Sequence, residues 1–322
     1  MVKKVLITGG AGFLGVNIAR RLVKDGYVVR IFDRINLNAN DLVNKVEIMQ
    51  GDIRNKTDVE IAVKGLDYVI HAAAILPPQK SKQLMFEINV NGTENILNTS
   101  LKQGIKRLVF ISSTEVYGVP KNCPQTEEFS LNPIGDYGKS KIAGEKLCES
   151  YMKKGLSINI LRPKTFLGPG RLGVFQKLFK AIREDKTVFI LGNGNNFFQL
   201  LAVSDLADAV EKAMTSEIDN NTFNIGARAF GTWRSDLGDI IKYQKSRAKI
   251  VELPFWALKI VLPILQKLQL NSQDISHYES LVVPSYVSIE KAKELLKWHP
   301  KKSNSELLLE SYKWYTSNVI NK

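Results

Sequence analysis

Cysteine is scarce in this sequence. Cys123 and Cys148 are the only two cysteines among 322 residues. They form no ligand cluster, so we predict no metal site. Cysteines without a disulfide framework are typical of reducing compartments, and we therefore expect a cytoplasmic protein with both thiols reduced.

Long apolar runs are also missing. The first run, Val5–Ile7, leads directly into glycines, so we expect no signal peptide. The most apolar segment, Leu253–Leu270, is interrupted by Lys259, Pro263 and Lys267, and we therefore expect no integral membrane span. Three interpretations of this segment stay open: a buried helix or dimer contact, a lid over an apolar substrate, and a helix lying on a membrane surface.

Acidic side chains are in deficit, because 45 lysines and arginines face 32 aspartates and glutamates, which gives a net charge of +13. The sequence has no basic stripe interleaved with aromatic side chains and no known nucleic-acid-binding motif, so we expect no nucleic-acid partner. We attribute the charge to a lysine-rich, solvated surface. Attraction to anionic lipid headgroups is the alternative.

Short apolar strands alternate with helical segments through the first half of the chain. Helical spacing is found in Val16–Lys24 and Gln83–Lys102. The strand-like runs are rich in β-branched residues and poor in charge, namely VLITGG, VVRIFD, VEIMQGD, DYVIHAAA, RLVFISS and INILRP. Such an alternation indicates a parallel sheet covered on both faces. Right-handed crossovers then give an α/β, doubly wound parallel sheet, the Rossmann fold.

The pattern becomes less regular after Pro163. We predict a helix at Val174–Arg183, a strand in TVFILGNGN, a strand leading into a helix in LLAVSDLADAVEKAM, and a strand in TFNIG. Ser204 or Asp205 is expected near the N-cap of the LADAVEKAM helix, and a capping box at Ser303–Glu306 opens the last helix. The predicted domains are a Rossmann domain at 1–163, to which 188–225 return, and a smaller substrate-binding lobe made mainly of 164–187 and 226–322.

A glycine-rich turn follows the first predicted strand. TGGAGFLG places glycines at positions 9, 12 and 15 and leads into a helix. Without Cβ atoms, such a turn lets the backbone approach a pyrophosphate, and the N–H groups at the helix start face that anion. With the strand, the helix and a later acidic residue all present, the pattern predicts a dinucleotide site. The expected contacts are Gly9, Gly12, Phe13, Leu14 and Gly15.

The acidic residue of this pattern is Asp33, which ends VVRIFD. A carboxylate there accepts hydrogen bonds from ribose hydroxyls and repels a 2′-phosphate, so we predict NAD rather than NADP as the cofactor. The adjacent Arg34 opposes this preference, because a guanidinium could hold a phosphate. Further candidates at the same sheet edge are Asp52 for the adenine amino group, Ile53 for the adenine ring, and Ala72, Ala73 and Ala74, whose small side chains let the backbone lie against a dinucleotide.

Two motifs with reactive side chains converge at the carboxyl end of the sheet, because ISSTEVYG ends the fifth predicted strand and DYGKSK opens the following helix. Tyr137 and Lys141 stand four positions apart and share a helix face. A tyrosine has a pKa of about 10, and a nearby ammonium together with a cationic nicotinamide ring would favour the phenolate as a base. Ser113 could hydrogen-bond the substrate oxygen, and Lys141 could also hold the nicotinamide ribose.

Taken together, these motifs resemble the extended short-chain dehydrogenase/reductases of the NAD-dependent epimerase/dehydratase family. TGGAGFLG, GDIR, HAAA, NVNGTENIL, SSTEVYG, YGKSK, LRPKTFLGPG and VSDLADA match that family's blocks in order over nearly the whole chain. The resemblance implies that Ser113, Tyr137 and Lys141 are the catalytic group. It implies a homodimer formed through helices such as Gln83–Lys102 and Gly135–Lys153. It also adds Asn89, Ser112 and Pro163 to the NAD-binding residues, which include Tyr137 and Lys141.

The activity that the resemblance implies is the epimerisation of a nucleotide-linked sugar. Tyr137 would take the proton of a substrate hydroxyl while a hydride passes to NAD, and the hydride would return to the other face of the keto intermediate. Glu115 keeps dehydration open as an alternative, because the family's sugar dehydratases use acidic side chains at this place. Here the pair Thr114-Glu115 contains one acidic residue, and the neighbouring acidic residue is absent. Glu115 could equally serve to order its loop.

Three phosphate contacts that the family leads us to expect are missing or moved. Thr165 stands where an Asn is common, Phe198 stands where an Arg is common, and HYESLVVP lacks a second Arg. Phenylalanine cannot replace a charge-assisted bond to phosphate. Cations that could substitute from other positions are Lys164, Arg171, Lys177 and Arg228. The candidate substrate-binding residues are Ser113, Thr114, Thr165, Phe198 and Arg171.

Two other functions stay open for these reasons. One is net hydride transfer on an apolar hydroxyl or ketone, as in hydroxysteroid dehydrogenase-like members with the same catalytic residues, which the apolar Leu253–Leu270 would suit. The other is a non-catalytic NAD-binding protein, which the intact Ser113, Tyr137 and Lys141 argue against. An enzyme would have a small molecule as its principal partner.

Overall fold

The computed structural model describes residues 2–76, 81–260 and 278–319. The strands are β1 Lys4–Thr8, β2 Val28–Asp33, β3 Glu47–Gln50, β4 Tyr68–His71, β5 Arg107–Ile111, β6 Ile158–Pro163, β7 Phe166–Leu167, β8 Val188–Leu191, β9 Leu201–Ala202, β10 Thr222–Ile225 and β11 Ile250–Leu253. The helices are α1 Phe13–Lys24, α2 Lys56–Val63, α3 Lys82–Phe86, α4 Thr93–Lys102, α5 Gly135–Met152, α6 Phe175–Arg183, α7 Val203–Thr215, α8 Trp233–Gln244, α9 Glu290–Leu296 and α10 Asn304–Asn318. A π-helical turn at Glu87–Gly92 joins α3 to α4, and a 3-10 helix spans Thr114–Tyr117.

Seven parallel strands form the main sheet in the order β10-β6-β5-β4-β1-β2-β3. The order reverses between β1 and β4, where connections leave to opposite faces and a crevice opens at the carboxyl ends of the strands. The register brings these ends level, since Thr8 pairs with Phe32 on one side and with His71 on the other. The predicted doubly wound parallel sheet is therefore confirmed, and all six strands predicted in the first half are present.

Both faces of the sheet are buried, and β1 shows why its sequence is continuously apolar. Val5 and Ile7 face one core layer together with side chains of α1 and α7, whereas Leu6 faces the other layer with side chains of α4 and α5. Successive side chains of a strand point to opposite faces, so a strand covered on both sides needs apolar residues throughout.

A smaller core lies beyond the main sheet. It contains residues of α6, α8 and α10 and of the parallel pair β8–β11. Phe179 of α6 meets Tyr312 of α10 edge-on, with ring centroids 5.3 Å apart. Because β8 pairs with β11, only α7 and β10 of the predicted 188–225 segment join the main sheet layers.

The predicted caps of two helices compare differently with the structure. Ser303 caps α10, and its hydroxyl and the Glu306 carboxylate exchange hydrogen bonds with backbone N–H groups in the predicted capping box. Neither Ser204 nor Asp205 caps α7, whose N-cap is Ala202. The Asp205 carboxylate instead accepts hydrogen bonds from the N–H groups of Lys301 and Lys302, so it ties the C-terminal segment to the sheet.

The apolar segment Leu253–Leu270 lies only partly within the described residues. Leu253 ends β11, residues 255–260 are helical, and positions 261–270 are outside the described part of the chain. Within the helical stretch, Trp256 and Ile260 are 66% and 61% exposed, so this portion is not a buried core helix. Over the described residues, no helix combines the length and the apolarity that crossing a bilayer requires.

Candidate active site

A cavity of about 760 Å³ opens at the carboxyl edge of the main sheet, beside the point where the strand order reverses. It runs from the glycine-rich turn after β1 to the ends of β5 and β6. Its wall includes these predicted site residues: Gly9, Gly12, Phe13, Leu14, Gly15, Asp33, Arg34, Asp52, Ile53, Ala72, Ala73, Ala74, Ser112, Ser113, Thr114, Glu115, Tyr137, Lys141, Pro163, Thr165 and Arg171.

The glycines of the turn after β1 are required by close backbone contacts. A Cβ atom on Gly9 would lie 2.7 Å from the Cα of Ala73, and one on Gly15 would lie 2.4 Å from the carbonyl oxygen of Gly9. Gly12 is the N-cap of α1 and offers no side-chain cap. The first N–H groups of α1 therefore remain available at the cavity wall, as an anion-binding helix start requires.

Asp33 lies at the end of β2, next to that turn. One oxygen of its carboxylate accepts a hydrogen bond from the Ala11 N–H at 3.0 Å, and the other accepts from the Ile35 N–H at 3.3 Å. The carboxylate is thus fixed at the cavity wall, where a ribose would lie next to a dinucleotide's pyrophosphate.

Arg34 and Asp52 interact with each other. The Arg34 guanidinium approaches the Asp52 carboxylate at 3.5 Å, and Arg54 binds the same carboxylate with a shortest distance of 2.6 Å. The hydrogen bonds from Arg54 lower the pKa of Asp52. The structure thus gives the Asp52 carboxylate a role as an ion-pair partner, which the sequence did not indicate, while Ile53 packs against Gly92 of the π-helical turn.

Asn89 is the predicted cofactor contact that does not line the cavity. Its side chain is buried in the π-helical turn, where it accepts a hydrogen bond from the Ile75 N–H at 2.8 Å and donates to Ser140 Oγ at 3.0 Å. It therefore fixes the chain behind Ala74 instead of reaching the cavity. Direct cofactor binding by Asn89 stays a prediction, and in this structure its amide hydrogen-bonds Ile75 and Ser140.

Ser113, Tyr137 and Lys141 converge at the middle of the cavity. Ser113 caps the 3-10 helix, its Oγ accepting from the Glu115 N–H at 3.1 Å, and it also hydrogen-bonds Tyr137. The Lys141 ammonium lies 5.8 Å from the centre of the Tyr137 ring and donates to the Ile111 carbonyl oxygen at 2.8 Å. The one-turn spacing has thus brought the predicted side chains together.

The electrostatics of Tyr137 differ from our expectation. Burial raises its pKa and the nearby Glu115 raises it further, while Ser113 and Arg171 act in the opposite direction. Burial lowers the pKa of Lys141 to about 8, against the opposing effect of Glu145. The protein's own charges therefore favour the neutral phenol, and forming the phenolate needs an additional positive charge in the cavity.

Glu115 and Lys164 form a second polar group of the cavity wall. Burial raises the pKa of Glu115 to about 7, with Lys164 opposing the shift. Burial lowers the pKa of Lys164 to about 8, and Cys123 and Glu115 counteract it. The Lys164 ammonium donates to Ser285 Oγ at 2.9 Å. Ser285 escaped the sequence analysis, because no motif links it to Lys164 across more than a hundred residues.

Phe198 is the predicted substrate contact that lies outside the cavity wall. Its ring packs 4.5 Å from the Trp233 ring in the smaller core, and only 8% of the residue is exposed. Substrate binding by Phe198 stays a prediction, and its position in the core agrees with the preference of apolar rings for burial. Of the four alternative cations, Lys164 and Arg171 line the cavity, Lys177 is exposed on α6, and Arg228 pairs with Glu306.

Arg171 lies over two rings at the start of α1. Its guanidinium carbon is 5.8 Å from the ring centre of Phe13 and 6.0 Å from that of Phe166, and these rings are stacked 6.3 Å apart. Among the described residues, no group of three or more histidine, cysteine, aspartate or glutamate side chains could hold a metal ion.

Comparison with known proteins relates this geometry to a family. The model of the NAD dependent epimerase/dehydratase family matches residues 5–226. The chain is 37% identical over 322 residues to Uncharacterized protein y4nG of Sinorhizobium fredii, covering 99% of this chain and 80% of that protein. It is 30% identical to a UDP-N-acetyl-alpha-D-glucosaminuronate decarboxylase of Bacillus cytotoxicus, with 98% of both chains covered.

Two further similarities concern a different substrate class and a solved structure. The chain is 27% identical to the decarboxylating sterol-4-alpha-carboxylate 3-dehydrogenase of Mus musculus, covering 92% of this chain and 87% of that protein. It superposes with a TM-score of 0.81 on the UDP-glucuronic acid 4-epimerase from Bacillus cereus in complex with NAD, at 25% identity, covering 98% of this chain and 99% of that chain.

Proposed function

The chain belongs to the NAD-dependent epimerase/dehydratase family, and from this premise we propose that it is an NAD-dependent epimerase of a nucleotide-linked sugar. The observation that supports this most is one continuous cavity, which joins the glycine-rich turn and Asp33 to the group Ser113, Tyr137 and Lys141. A module that only binds a dinucleotide would have no use for that group.

The residues present fit NAD. The backbone packs so closely at Gly9 and Gly15 that a Cβ at either position would clash with it, and the start of α1 offers N–H groups to a pyrophosphate. Asp33 would accept from the adenosine ribose, and Arg34 already approaches Asp52, which leaves it poorly placed to recruit a 2′-phosphate. We therefore propose NAD, not NADP, as the cofactor.

In the proposed mechanism, Tyr137 Oη holds the proton that moves. When bound, NAD would supply a hydride acceptor and a positive charge, and a positive charge in the cavity favours the phenolate. The phenolate takes the proton from the reacting substrate hydroxyl, and Ser113 Oγ hydrogen-bonds the same oxygen and orients it. Lys141 would hold the ribose of the cofactor. When the keto sugar is reduced again on its other face, Tyr137 would give its proton back to the same oxygen.

The direct test is turnover without added cofactor. The protein is purified, its bound nucleotide is released with acid and quantified, and the holoenzyme is mixed with UDP-glucuronic acid or UDP-glucose while NMR follows inversion at one sugar carbon. We expect retained NAD(H) and inversion with no net change in NADH absorbance. Stoichiometric NADH accumulation, or no turnover of any nucleotide sugar, would contradict the proposal.

Glu115 supports a second candidate, a sugar dehydratase. Its pKa of about 7 suits a group that removes a proton next to a ketone and then donates it at neutral pH. In that case, the product of the same NMR assay would be an unsaturated or deoxy-keto sugar, formed with loss of water. Exchange of the carbon-bound proton with deuterated solvent would accompany it, whereas epimerisation by hydride return leaves that proton unexchanged.

The similarity to the sterol-4-alpha-carboxylate 3-dehydrogenase supports a third candidate, net oxidation of an apolar hydroxyl compound. Trp256 and Ile260, which follow β11 in the chain, are exposed and are compatible with an apolar substrate or surface. This activity would consume added NAD in proportion to product, which the absorbance at the NADH band measures directly.

We also propose a homodimer formed through α4 and α5. These helices pack side by side on one face of the sheet, and Leu101 and Leu147 remain only partly buried there. Light scattering after gel filtration should give twice the mass of the chain, and Leu147→Lys should shift it toward the monomer. A cytoplasmic location stays a prediction that rests on the two free cysteines.

A further inference from the structure

Lys164 is a buried cation with a single polar partner in the described part of the chain. Only 6% of the residue is exposed, its ammonium donates to Ser285 Oγ at 2.9 Å, and it lies 5.4 Å from the centre of the Phe198 ring. None of the ion pairs among the described residues includes Lys164. A buried charge is costly unless it is paired, and an ammonium has three N–H donors to satisfy.

The segment that contacts the Lys164 ammonium is itself held by backbone hydrogen bonds. The segment that holds Ser285 runs between two others, because Ser285 N–H donates to the Phe197 carbonyl oxygen and Gln199 N–H donates to that of Ser285. On the other side, Gln125 N–H donates to the Tyr286 carbonyl oxygen. Backbone hydrogen bonds to two other segments therefore hold Ser285, the partner of the ammonium, in place.

The place of Lys164 in the cavity indicates which part of a substrate it meets. Thr114 Oγ1 donates to the Pro163 carbonyl oxygen at 3.3 Å, and a Cβ atom on Gly138 would lie 2.9 Å from the Glu115 carbonyl oxygen. The segments that carry Glu115, Lys164 and Tyr137 therefore meet at one part of the cavity wall. Arg171 is a second cation of the same wall and lies over the rings of Phe13 and Phe166. Because Tyr137 would meet the reacting hydroxyl, an anion next to Lys164 and Glu115 would belong to the sugar ring itself.

We propose that Lys164 binds a carboxylate carried by the sugar ring next to the reacting carbon, so that the substrate class is a nucleotide-linked uronic acid. The ammonium gives the carboxylate a charge-assisted hydrogen bond in a site shielded from water. Glu115, when protonated, donates to the second carboxylate oxygen instead of repelling it. This inference rests on the proposed function, because it specifies the substrate of the same cavity.

The test compares two ligands that differ at one carbon. UDP-glucuronic acid carries a carboxylate where UDP-glucose carries a hydroxymethyl group, and UDP alone reports on the nucleotide part. Calorimetric Kd values for the NAD-loaded enzyme, together with kcat/KM, are measured for the wild type, Lys164→Met and Lys164→Arg. The control is Lys177→Met, which removes an exposed cation of α6 outside the cavity wall.

We expect the wild type to prefer UDP-glucuronic acid. Lys164→Met should weaken its binding by roughly ten- to a hundredfold, since one hydrogen bond to a charged group is lost, and should change UDP-glucose and UDP binding by less than about threefold. Lys164→Arg keeps the charge and should retain most of the preference. Lys177→Met should behave as the wild type with every ligand.

The possible failures are distinguishable. If neither UDP-sugar binds or turns over, the proposed function fails. If UDP-glucose is turned over and Lys164→Met leaves the ratio of the two Kd values unchanged, only the inference about Lys164 is overturned. Lys164→Met could also weaken folding, so its NAD content and melting temperature are measured, and a uniform loss for all three ligands would count against a carboxylate-specific role.

Discussion

The pKa of the Tyr137 hydroxyl is shifted in opposite directions by its surroundings. Burial and Glu115 favour the phenol, whereas Ser113 and Arg171 favour the phenolate. We predict that Tyr137→Phe lowers kcat by at least about a hundredfold, because proton transfer by a positioned side chain contributes about 10²–10⁴ in rate. The melting temperature and the NAD content should change little, because only one hydroxyl is removed. Turnover within a fewfold of the wild type would refute the assigned base.

Glu115 makes folding stability depend on pH in a direction unusual for a carboxylate. Its pKa is raised to about 7 in the folded protein and is about 4.3 in an unfolded chain, so the folded state binds more protons between these values and stability falls as the pH rises through this window. Glu115→Gln removes the buried charge. We therefore expect it to raise the free energy of unfolding at pH 8 by roughly 1–3 kcal/mol and to leave it nearly unchanged at pH 4.

Urea unfolding at the two pH values measures this difference. Glu128→Gln is a suitable control, because the Glu128 carboxyl is exposed and a hydrogen bond from Thr126 lowers its pKa. The pH dependence of stability that Glu128 contributes therefore has the opposite sign to that of Glu115. An equal gain for Glu115→Gln at both pH values would mean that shape, not charge, causes the effect.

At the residue scale, the sequence predicted which reactive side chains lie together, whereas the contacts around them depend on residues distant in sequence. Tyr137 and Lys141 could be paired because helical spacing is local. Phe198 and Asn89 were assigned to ligands on their place in motifs, yet their environment is decided by Trp233 and Ser140, which are distant in sequence. Likewise, nothing local to Lys164 indicates Ser285.

Among the elements, the turn from β1 into α1 has little room for added atoms. We predict that Gly15→Ala weakens NAD binding at least tenfold and destabilises the fold by roughly 1–3 kcal/mol, because its Cβ would lie 2.4 Å from Gly9 O and 2.5 Å from Gly10 Cα. Fluorescence titration with NADH and thermal melting measure the two effects.

Gly238→Ala is the matched control for that substitution. Gly238 lies inside α8, and a Cβ there would have no other atom within 4 Å. Alanine is the better helix former by roughly 1 kcal/mol, so this variant should melt higher and bind NADH as the wild type does. Similar losses in both variants would mean that close packing at the turn is not the cause.

The elements themselves were largely predictable, because each depends on a local period. The six strands of the first half are apolar runs of a length typical of buried strands, and α6 and α10 have helical spacing and, for α10, a capping box. The break of Gln83–Lys102 by a π-helical turn was not predicted, because it depends on Asn89 reaching Ile75 and Ser140. The pairing of β8 with β11 was missed for the same reason, since partner choice is non-local.

For the whole molecule, the net charge of +13 leads to a prediction about nucleic acid. The excess lysines are spread over the chain without the aromatic interleaving of a binding stripe, so any association with DNA should be purely electrostatic. We expect binding to a random-sequence duplex to be weaker than about 1 μM at 0.15 M salt and to be the same for any sequence. A titration of labelled duplexes at several salt concentrations measures both properties, and sequence preference would contradict the prediction.

The position of the Ser285 segment late in the chain affects the order in which parts of the cavity form during synthesis. All seven strands of the main sheet lie within the first 225 residues, whereas Ser285, the partner of Lys164, comes 60 residues later. At about 5–20 residues per second, the ribosome needs roughly 3–12 s to make that interval. The nascent chain thus contains the glycine-rich turn first. The pocket that would select the sugar is complete only when the Ser285 segment has formed its backbone hydrogen bonds with Gln125 and Gln199.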